Sequence, residues 1–529
     1  MDVLYAADDI EMCAGMALES DEASAQRFAT DKRAPAANED YNLQKIFQMN
    51  PIPTDFKCSL QIPYKLVEDF VPKFSAASYA HATNGSRQLM IESHPAFICQ
   101  PRFILRKLWT KQNSARSSAG GSAFNMRSFI SIAPLLASSV AGAAISNAIR
   151  ATAASVNPFS GYQLYANSYY ASEVTTLALP SMTGTAKAAA SSVAQVPSFY
   201  WLDTAAKVPT MSTFLADIKA KNAAGASPPI AAQFVVYDLP DRDCAALASN
   251  GEYSIADGGL AKYKTYIDEI RKVLVAYSDV QTILVIEPDS LANLVTNMAV
   301  SKCANAHDAY LEGTNYAVTQ LNLANVAMYL DAGRHFSNLT AHVPRELIRH
   351  AGWLGWPANL SPAAQLFAGV YNDAGQPGSL RGLATNVANY NGWSLSTCPS
   401  YTSGNSNCDE KRYINAIAPL LKSAGWDARF ITDTGRNGVQ PTQQNAWGDW
   451  CNVKGTGFGV RPTTSTGDSL TDAFVWVKPG GESDGTSDSS AVRYDAHCGY
   501  SDALQPAPEA GTWFQAYFAQ LVQNANPSF

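Results

Sequence analysis

Seven short apolar runs recur between Ser198 and Val477, and most of them stop at a charged residue. They are Ser198–Leu202, Gln233–Tyr237, Thr282–Ile286, Val326–Leu330, Gly382–Val387, Arg429–Thr432 and Ala473–Val477. Apolar runs of this length, bounded by turn residues, read as buried strands. Helix-like stretches such as Leu260–Tyr277 and Tyr413–Ala424 lie between several of them. Alternation of this kind predicts an α/β fold: a parallel sheet covered by helices on its faces.

The residues that close the runs carry the functional signal. Asp203, Asp238, Asp331, Asp433 and Lys478 follow directly, and Asp289 follows Glu287-Pro288. In closed β/α barrels the chemistry gathers at the carboxyl ends of the strands. Aspartate also caps helix N-termini, so one or two of these serve the next helix. About half are expected to face a common cleft.

Composition narrows the function classes. A formal charge of −7 gives no basic bias toward nucleic acid or an acidic membrane. With 47% apolar and 16% charged residues the chain can fill a large core. The 10 Trp and 24 Tyr are mostly core, but flat aromatic faces also stack on sugar rings. The seven His show no metal-ligand spacing, and neither a metal nor a cofactor is expected.

Met126-Arg127-Ser128, the apolar run Phe129–Ala137 and Ala141-Gly142-Ala143 have the anatomy of a secretory signal. The run is too short to span a bilayer. An Ala-rich helix within a larger domain is the competing reading. Signals of this kind work at an amino terminus, so residues 1–125 read as a disordered extension or a gene-model artefact. On that reading residues 144–529 form one catalytic domain. Cys244, Cys303, Cys398, Cys408, Cys451 and Cys498 then suggest three disulfides in an exported protein, with 15 connectivities open.

Several stretches carry a family resemblance. They are Val235-Val-Tyr-Asp-Leu-Pro-Asp-Arg-Asp-Cys244, Val285-Ile-Glu-Pro-Asp-Ser290 and Phe474-Val-Trp-Val-Lys-Pro-Gly-Gly-Glu-Ser-Asp-Gly485. With His350-Ala-Gly-Trp-Leu-Gly-Trp356 and Trp447-Gly-Asp-Trp-Cys451, they resemble glycoside hydrolase family 6 of the fungal cellobiohydrolase type. The similarity runs from about Asn157 to Phe529. It implies a distorted seven-stranded parallel β/α barrel, a TIM-barrel variant, with loops enclosing a substrate tunnel. It also implies hydrolysis of β-1,4-glucosidic bonds in cellulose with inversion, releasing cellobiose from non-reducing chain ends.

The site follows by matching residues to the family's motifs. Asp289 matches the proton donor, and Asp243 the carboxylate that raises the donor's pKa by like-charge repulsion. Tyr237 and Ser249 match residues near the bond being broken, and Asp484 the proposed base, acting through a water chain. Trp353, Trp356 and Trp450 match stacking platforms, and Tyr165 stands where the family often has tryptophan. Asn167, Asp331, His350, Asn389, Lys478 and Glu482 match polar contacts to sugar or neighbours of the acid. Cys244–Cys303 and Cys451–Cys498 match family disulfides, and Cys398 with Cys408 is a pairing the family does not supply. Cellulose and cello-oligosaccharides are the implied partners of a secreted monomer. The segment Ser483–Gly511 favours exo action over an open-cleft endoglucanase. A non-catalytic glucan binder predicts loss of a key carboxylate, yet Asp243, Asp289 and Asp484 are all present.

Two motifs are decoys. Gly481-Glu-Ser-Asp-Gly485 fits a hydrolase nucleophile elbow, but Thr486-Ser-Asp-Ser-Ser490 does not continue as a helix. Gly455-Thr-Gly-Phe-Gly459 lacks the last glycine and the preceding strand of a dinucleotide loop. One departure matters more: Arg334–Arg349 separates Asp331-Ala-Gly333 from His350, which the family joins almost directly. A translated intron is preferred over a genuine loop. Asn338-Leu-Thr340 and Asn359-Leu-Ser361 are glycosylation sequons, and no cellulose-binding module is visible after Ala144.

Overall fold

The computed structural model describes residues 156–333 and 354–529, together with three short strands further upstream. The chain divides into two compact units, Met1–Ser128 and Phe129–Phe529. In the first, strands Gln61–Pro63, Tyr79–Thr83 and Ser86–Met90 pair antiparallel, a local order that the sequence reading did not expect. Met126–Ala143, Arg334–Arg349, Asn338 and the cysteines Cys13, Cys58 and Cys99 lie outside the described residues.

The second unit holds one parallel sheet. Its strands are β1 (Gln163–Leu164), β2 (Tyr200–Leu202), β3 (Ile230–Val236), β4 (Thr282–Ile286), β5 (Val326–Asp331), β6 (Leu380–Thr385), β7 (Arg429–Asp433) and β8 (Thr471–Val475). The order runs β8-β7-β6-β5-β4-β3-β1, with β2 also pairing β3. β1 takes the first part of that edge of β3 and β2 the last, through Gln163↔Ile230 and Tyr200↔Phe234. All seven sequence-predicted strands are present; the two-residue β1 was not foreseen.

The alternation of side chains sorts the core into two layers. Val235, Ile283, Val285, Tyr329, Ile431 and Val475 point inward and pack together. Their neighbours Phe234, Val236, Leu284, Ile286, Met328, Leu330 and Phe430 point outward under the helices. Burial on both faces is why the strands read as unbroken apolar runs. Gly382 in β6 is required by a close approach, since a Cβ there would lie 1.6 Å from the carbonyl oxygen of Arg429 in β7.

The barrel is distorted where β2 meets β8. Phe199 N–H donates to Trp476 O at 2.9 Å, and the Trp201 indole N–H to Val477 O at 2.8 Å. Among the described residues these bonds stand in place of a ladder across that gap.

The helices are α1 (Ser168–Glu173), α2 (Gly184–Val193), α3 (Val208–Ala223), α4 (Gly259–Ala276), α5 (Leu291–Thr296), α6 (Ser301–Gln320), α7 (Pro357–Asp373), α8 (Glu410–Ser423) and α9 (Gln515–Gln523). α8 shows how sequence sets their bounds. Asp409 caps it by accepting from Arg412 N–H at 2.8 Å, and Tyr413, Ile414, Ile417 and Leu421 form its buried stripe. Gly425, at φ +99°, follows its end. Asn359 is only 7% exposed in the first turn of α7, so the folded chain does not present its amide to solvent for a glycan.

The cysteines pair as Cys244–Cys303, Cys398–Cys408 and Cys451–Cys498. The first and last tether loops at the carboxyl ends of the strands. Those loops meet: Leu247 N–H donates to Asp495 Oδ2 at 3.3 Å.

Candidate active site

A groove enclosing about 1300 Å³, continuous with solvent, opens at the carboxyl ends of the strands. Of the sequence-predicted residues, Asn167, Tyr237, Asp243, Ser249, Asp289, Asn389, Trp450, Lys478, Glu482 and Asp484 line it.

Asp289 leaves β4 through Glu287-Pro288, and both Glu287 and Asp289 sit at positive φ, +49° and +58°. Such backbone is costly for residues other than glycine and persists only where its surroundings hold it. Here Asp331 Oδ2 accepts from Asp289 N–H at 2.9 Å, and Asn293 Nδ2 donates to Asp289 O at 2.8 Å. Glu287 lies behind, almost fully buried, accepting from the N–H groups of Asp238 and Leu239. Burial pushes its carboxyl up to about 7, against those hydrogen bonds.

Asp243 comes from the loop after β3 and is likewise at positive φ, +56°. Its Oδ2 accepts from Ser249 N–H at 2.8 Å, so Ser249 holds it through backbone. Tyr237, 4% exposed, packs edge-on to Trp201 and under the Arg242 guanidinium at 4.2 Å. Burial, then the charge of Asp243, pushes its phenol well above the ordinary value, so it stays a hydrogen-bond donor. Arg242 ties together the segments that follow β2 and β3, donating to Asp203 O at 2.8 Å, to Tyr237 O, and to Ser249 O at 3.2 Å. It also touches Asp238 Oδ1 at 3.1 Å. Burial outweighs that contact, and Asp238 is pushed up to about 9.

Across the groove Asp484 is gripped tightly. Arg436 Nη1 reaches both of its oxygens at 2.7 and 2.9 Å, while Tyr390 OH and Asn452 N–H donate to Oδ2 at 2.6 and 2.9 Å. Among the described residues Oδ1 is engaged by Arg436 alone. Asn389 donates to Val387 O at 3.0 Å, and its buried Oδ1 has no partner among the described residues. Lys478 and Glu482 pair at 3.2 Å.

Other expected site residues differ in place or in role from what the family match implies. Tyr165 was expected to stack on substrate. Its ring is instead in the core, tilted against Phe214 at 6.0 Å, with its hydroxyl on Asp217 Oδ2 at 2.6 Å. Asn167 lines the groove, but its side chain caps α1 and donates to Ser198. Asp331 sits beneath Asp289, binding the N–H of Asp289 and of Gly333. Trp356 precedes α7, its ring 6.0 Å from that of Trp447, and is not among the residues that line the groove. His350 and Trp353 lie outside the described residues.

Sequence reasoning missed Tyr169, Tyr200, Trp201, Lys207, Arg242 and Arg493, all of which line the groove. Trp201 had a usable signal, an aromatic near the carboxyl end of a strand. The donor set is one of carboxylates, aromatic faces and amides, with no metal cluster among the described residues.

A parallel barrel that brings carboxylates and flat aromatic faces to one groove has the make-up of a carbohydrate-cleaving enzyme. The chain belongs to the glycosyl hydrolases family 6, whose model matches residues 159–525. It is 77% identical over 378 residues to a probable 1,4-beta-D-glucan cellobiohydrolase C of Aspergillus terreus, covering 72% of this chain and 77% of that one. It is 67% identical over 374 residues to exoglucanase 2 of Hypocrea jecorina, covering 70% and 76%. Among solved structures, the catalytic core of the cellobiohydrolase Cel6A from Chaetomium thermophilum matches at 65% identity and TM-score 0.66, covering 70% of this chain and 99% of that one. Cellobiohydrolase II (Cel6A) from Humicola insolens, in complex with glucose and cellotetraose, matches at 60% identity and TM-score 0.67, covering 71% and 100%.

Proposed function

We propose that this chain hydrolyses β-1,4-glucosidic bonds in cellulose with inversion, releasing cellobiose from the non-reducing ends of chains. The observation that carries the reading is the convergence of Asp243, Asp289 and Asp484 on one groove in a family 6 barrel. An inverting glycosidase needs an acid on the leaving oxygen and a base that activates water on the opposite face. Asp289 is the acid. Asp243, held by the Ser249 N–H, is the second carboxylate that works beside it in the groove. Tyr237, neutral and buried, steadies the sugar at the reacting carbon.

Asp484 is the base, acting through water. Its Oδ2 accepts three hydrogen bonds, which leaves Oδ1 as the side able to take a water. Trp201 and Trp450 offer stacking faces, and Asn389 Oδ1, Lys478 and Glu482 take sugar hydroxyls. Trp353, Trp356 and His350 are assigned to sugar binding by the match to family motifs alone. The substrates are cellulose and cello-oligosaccharides, and the working protein is a secreted monomer in which Met126–Ala143 is the signal. No described helix is long and apolar enough to cross a membrane.

The test is proton NMR of the first products from cellotetraose. Inversion gives the α-anomer; an initial β-anomer means a retaining mechanism and overturns these roles.

A further inference from the structure

Asp243 sits in a segment whose backbone is doubly strained: Asp241 and Asp243 both lie at positive φ, +54° and +56°. Such a conformation persists only where neighbouring structure over-determines it. Helix α6 supplies that structure from three successive attachment points. The Tyr310 hydroxyl donates to Asp241 O at 2.9 Å, and Cys303 is disulfide-bonded to Cys244. Between these two anchors, Lys302 Nζ donates to Arg242 O at 3.1 Å and to Asp243 O at 3.3 Å. It also donates to Asn250 Oδ1 at 2.6 Å.

An ammonium has three donors and no acceptor, so these three oxygens account for all of its hydrogens. The disulfide fixes Cys244 and the tyrosine fixes Asp241. Lys302 binds the carbonyls on both sides of the Asp243 α-carbon, the second of which also accepts from Ala246 N–H at 3.1 Å. Through Asn250 the same ammonium holds the residue next to Ser249, whose N–H binds the Asp243 carboxylate. Burial pulls the Lys302 ammonium below its ordinary value, while the carboxylates of Asp243 and Asp241 counter it. Part-buried and facing those acids, it is built into the site rather than lying free on the surface.

We propose that Lys302 is a positioning residue for hydrolysis, holding the Asp243 carboxylate at the working distance from the reacting bond. The proposal rests on the reading of Asp243 given above. Lys302→Met keeps the apolar stem and removes all three donors. On cellotetraose its kcat is expected to fall about 10- to 100-fold, since about 1 Å of misplacement costs on the order of 10²-fold. KM is expected to stay within about twofold, because Lys302 does not line the groove.

The same substitution in an Asp243→Asn background separates positioning from general damage. If Lys302 acts through Asp243, the double variant is no more than about twofold slower than Asp243→Asn alone. A kcat for Lys302→Met within twofold of the parent overturns the proposal, as does a full multiplicative loss in the double variant. Melting curves confirm that each variant is folded. Should Lys302→Met not fold, Lys302→Gln, which keeps one amide donor group, takes its place under the same criteria. If Asp243→Asn alone keeps parental activity, the reading of Asp243 fails first, and that result is visible before Lys302 is touched.

Discussion

The ion pair between Arg436 and Asp484 allows stability and catalysis to be pulled apart. Both side chains are nearly inaccessible, 1% and 7% exposed, and the guanidinium lies over the Tyr390 ring at 4.6 Å. Arg436→Met removes the cation but keeps an apolar stem of similar length. Breaking a buried pair from one side costs about 3–5 kcal/mol, because the remaining charge loses its partner in a poorly hydrated site. Unfolding entropy is about 2.1 cal/mol/K per residue, or about 0.8 kcal/mol/K over the roughly 370 residues of the family match. The expected loss is therefore about 4–6 °C in melting temperature. Asp484→Asn added to Arg436→Met removes the orphan charge, and replacing a whole buried pair is often close to neutral. At least half of the lost melting temperature should return, measured by calorimetry at one fixed scan rate. Activity on cellotetraose should not return, because the double variant lacks the proposed base. A melting temperature for Arg436→Met within about 1 °C of the parent would refute the energetic argument. Recovered activity in the double variant would refute the role of Asp484.

Asp289→Asn should lower hydrolysis of cello-oligosaccharides by about 10²–10⁴-fold, the usual worth of general acid catalysis, in an assay of released cellobiose; near-parental turnover would sink the assignment. Glu173 is buried, and burial, then the charge of Glu482, pushes its carboxyl up to about 8. Between about pH 4.5 and 8 the folded chain then holds a proton that the unfolded chain has lost, so stability falls as pH rises through that window. Glu173→Gln should thus melt higher than the parent at pH 8 and no higher at pH 4, and an equal shift at both values would contradict the burial argument. Deleting Arg334–Arg349 should preserve the fold, because loop length adds little closure entropy, and should raise activity on cello-oligosaccharides. A folded but less active deletion variant would make the segment a functional loop.

The strands were legible because of how they are buried. A strand such as β4, covered on one face by the barrel interior and on the other by helices, must be apolar throughout, and Thr282–Ile286 is buried at every position. The two-residue β1 leaves no such run, and only its pairing with Ile230 and Ala231 marks it as a strand. Asp289 was legible for a related reason, since it follows the end of β4 by three residues, and a strand end fixes where the next side chain goes. Asp243, seven residues past β3, and Asp484 were picked out by the family resemblance alone.

What stayed hidden are residues whose role depends on contacts distant in sequence. Arg436 reads as a loop arginine until it meets Asp484, 48 positions later. Trp201 lies inside an apolar run, where core packing and a sugar platform look alike, and its indole N–H bonds to Val477 from the far side of the sheet. Tyr165 erred in the opposite direction. Its place in a motif suggested a platform, yet Asp217 on α3 takes its hydroxyl and Phe214 packs on its ring, so helix packing decides its fate. Position relative to a strand end thus predicts that a side chain is near the chemistry, while its task is set by the partner that the fold brings to it. Lys302 makes the same point at the site's back wall. Nothing in Ser301-Lys302-Cys303 announces a function, and its three hydrogen-bonded oxygens all come from the loop that carries Asp243.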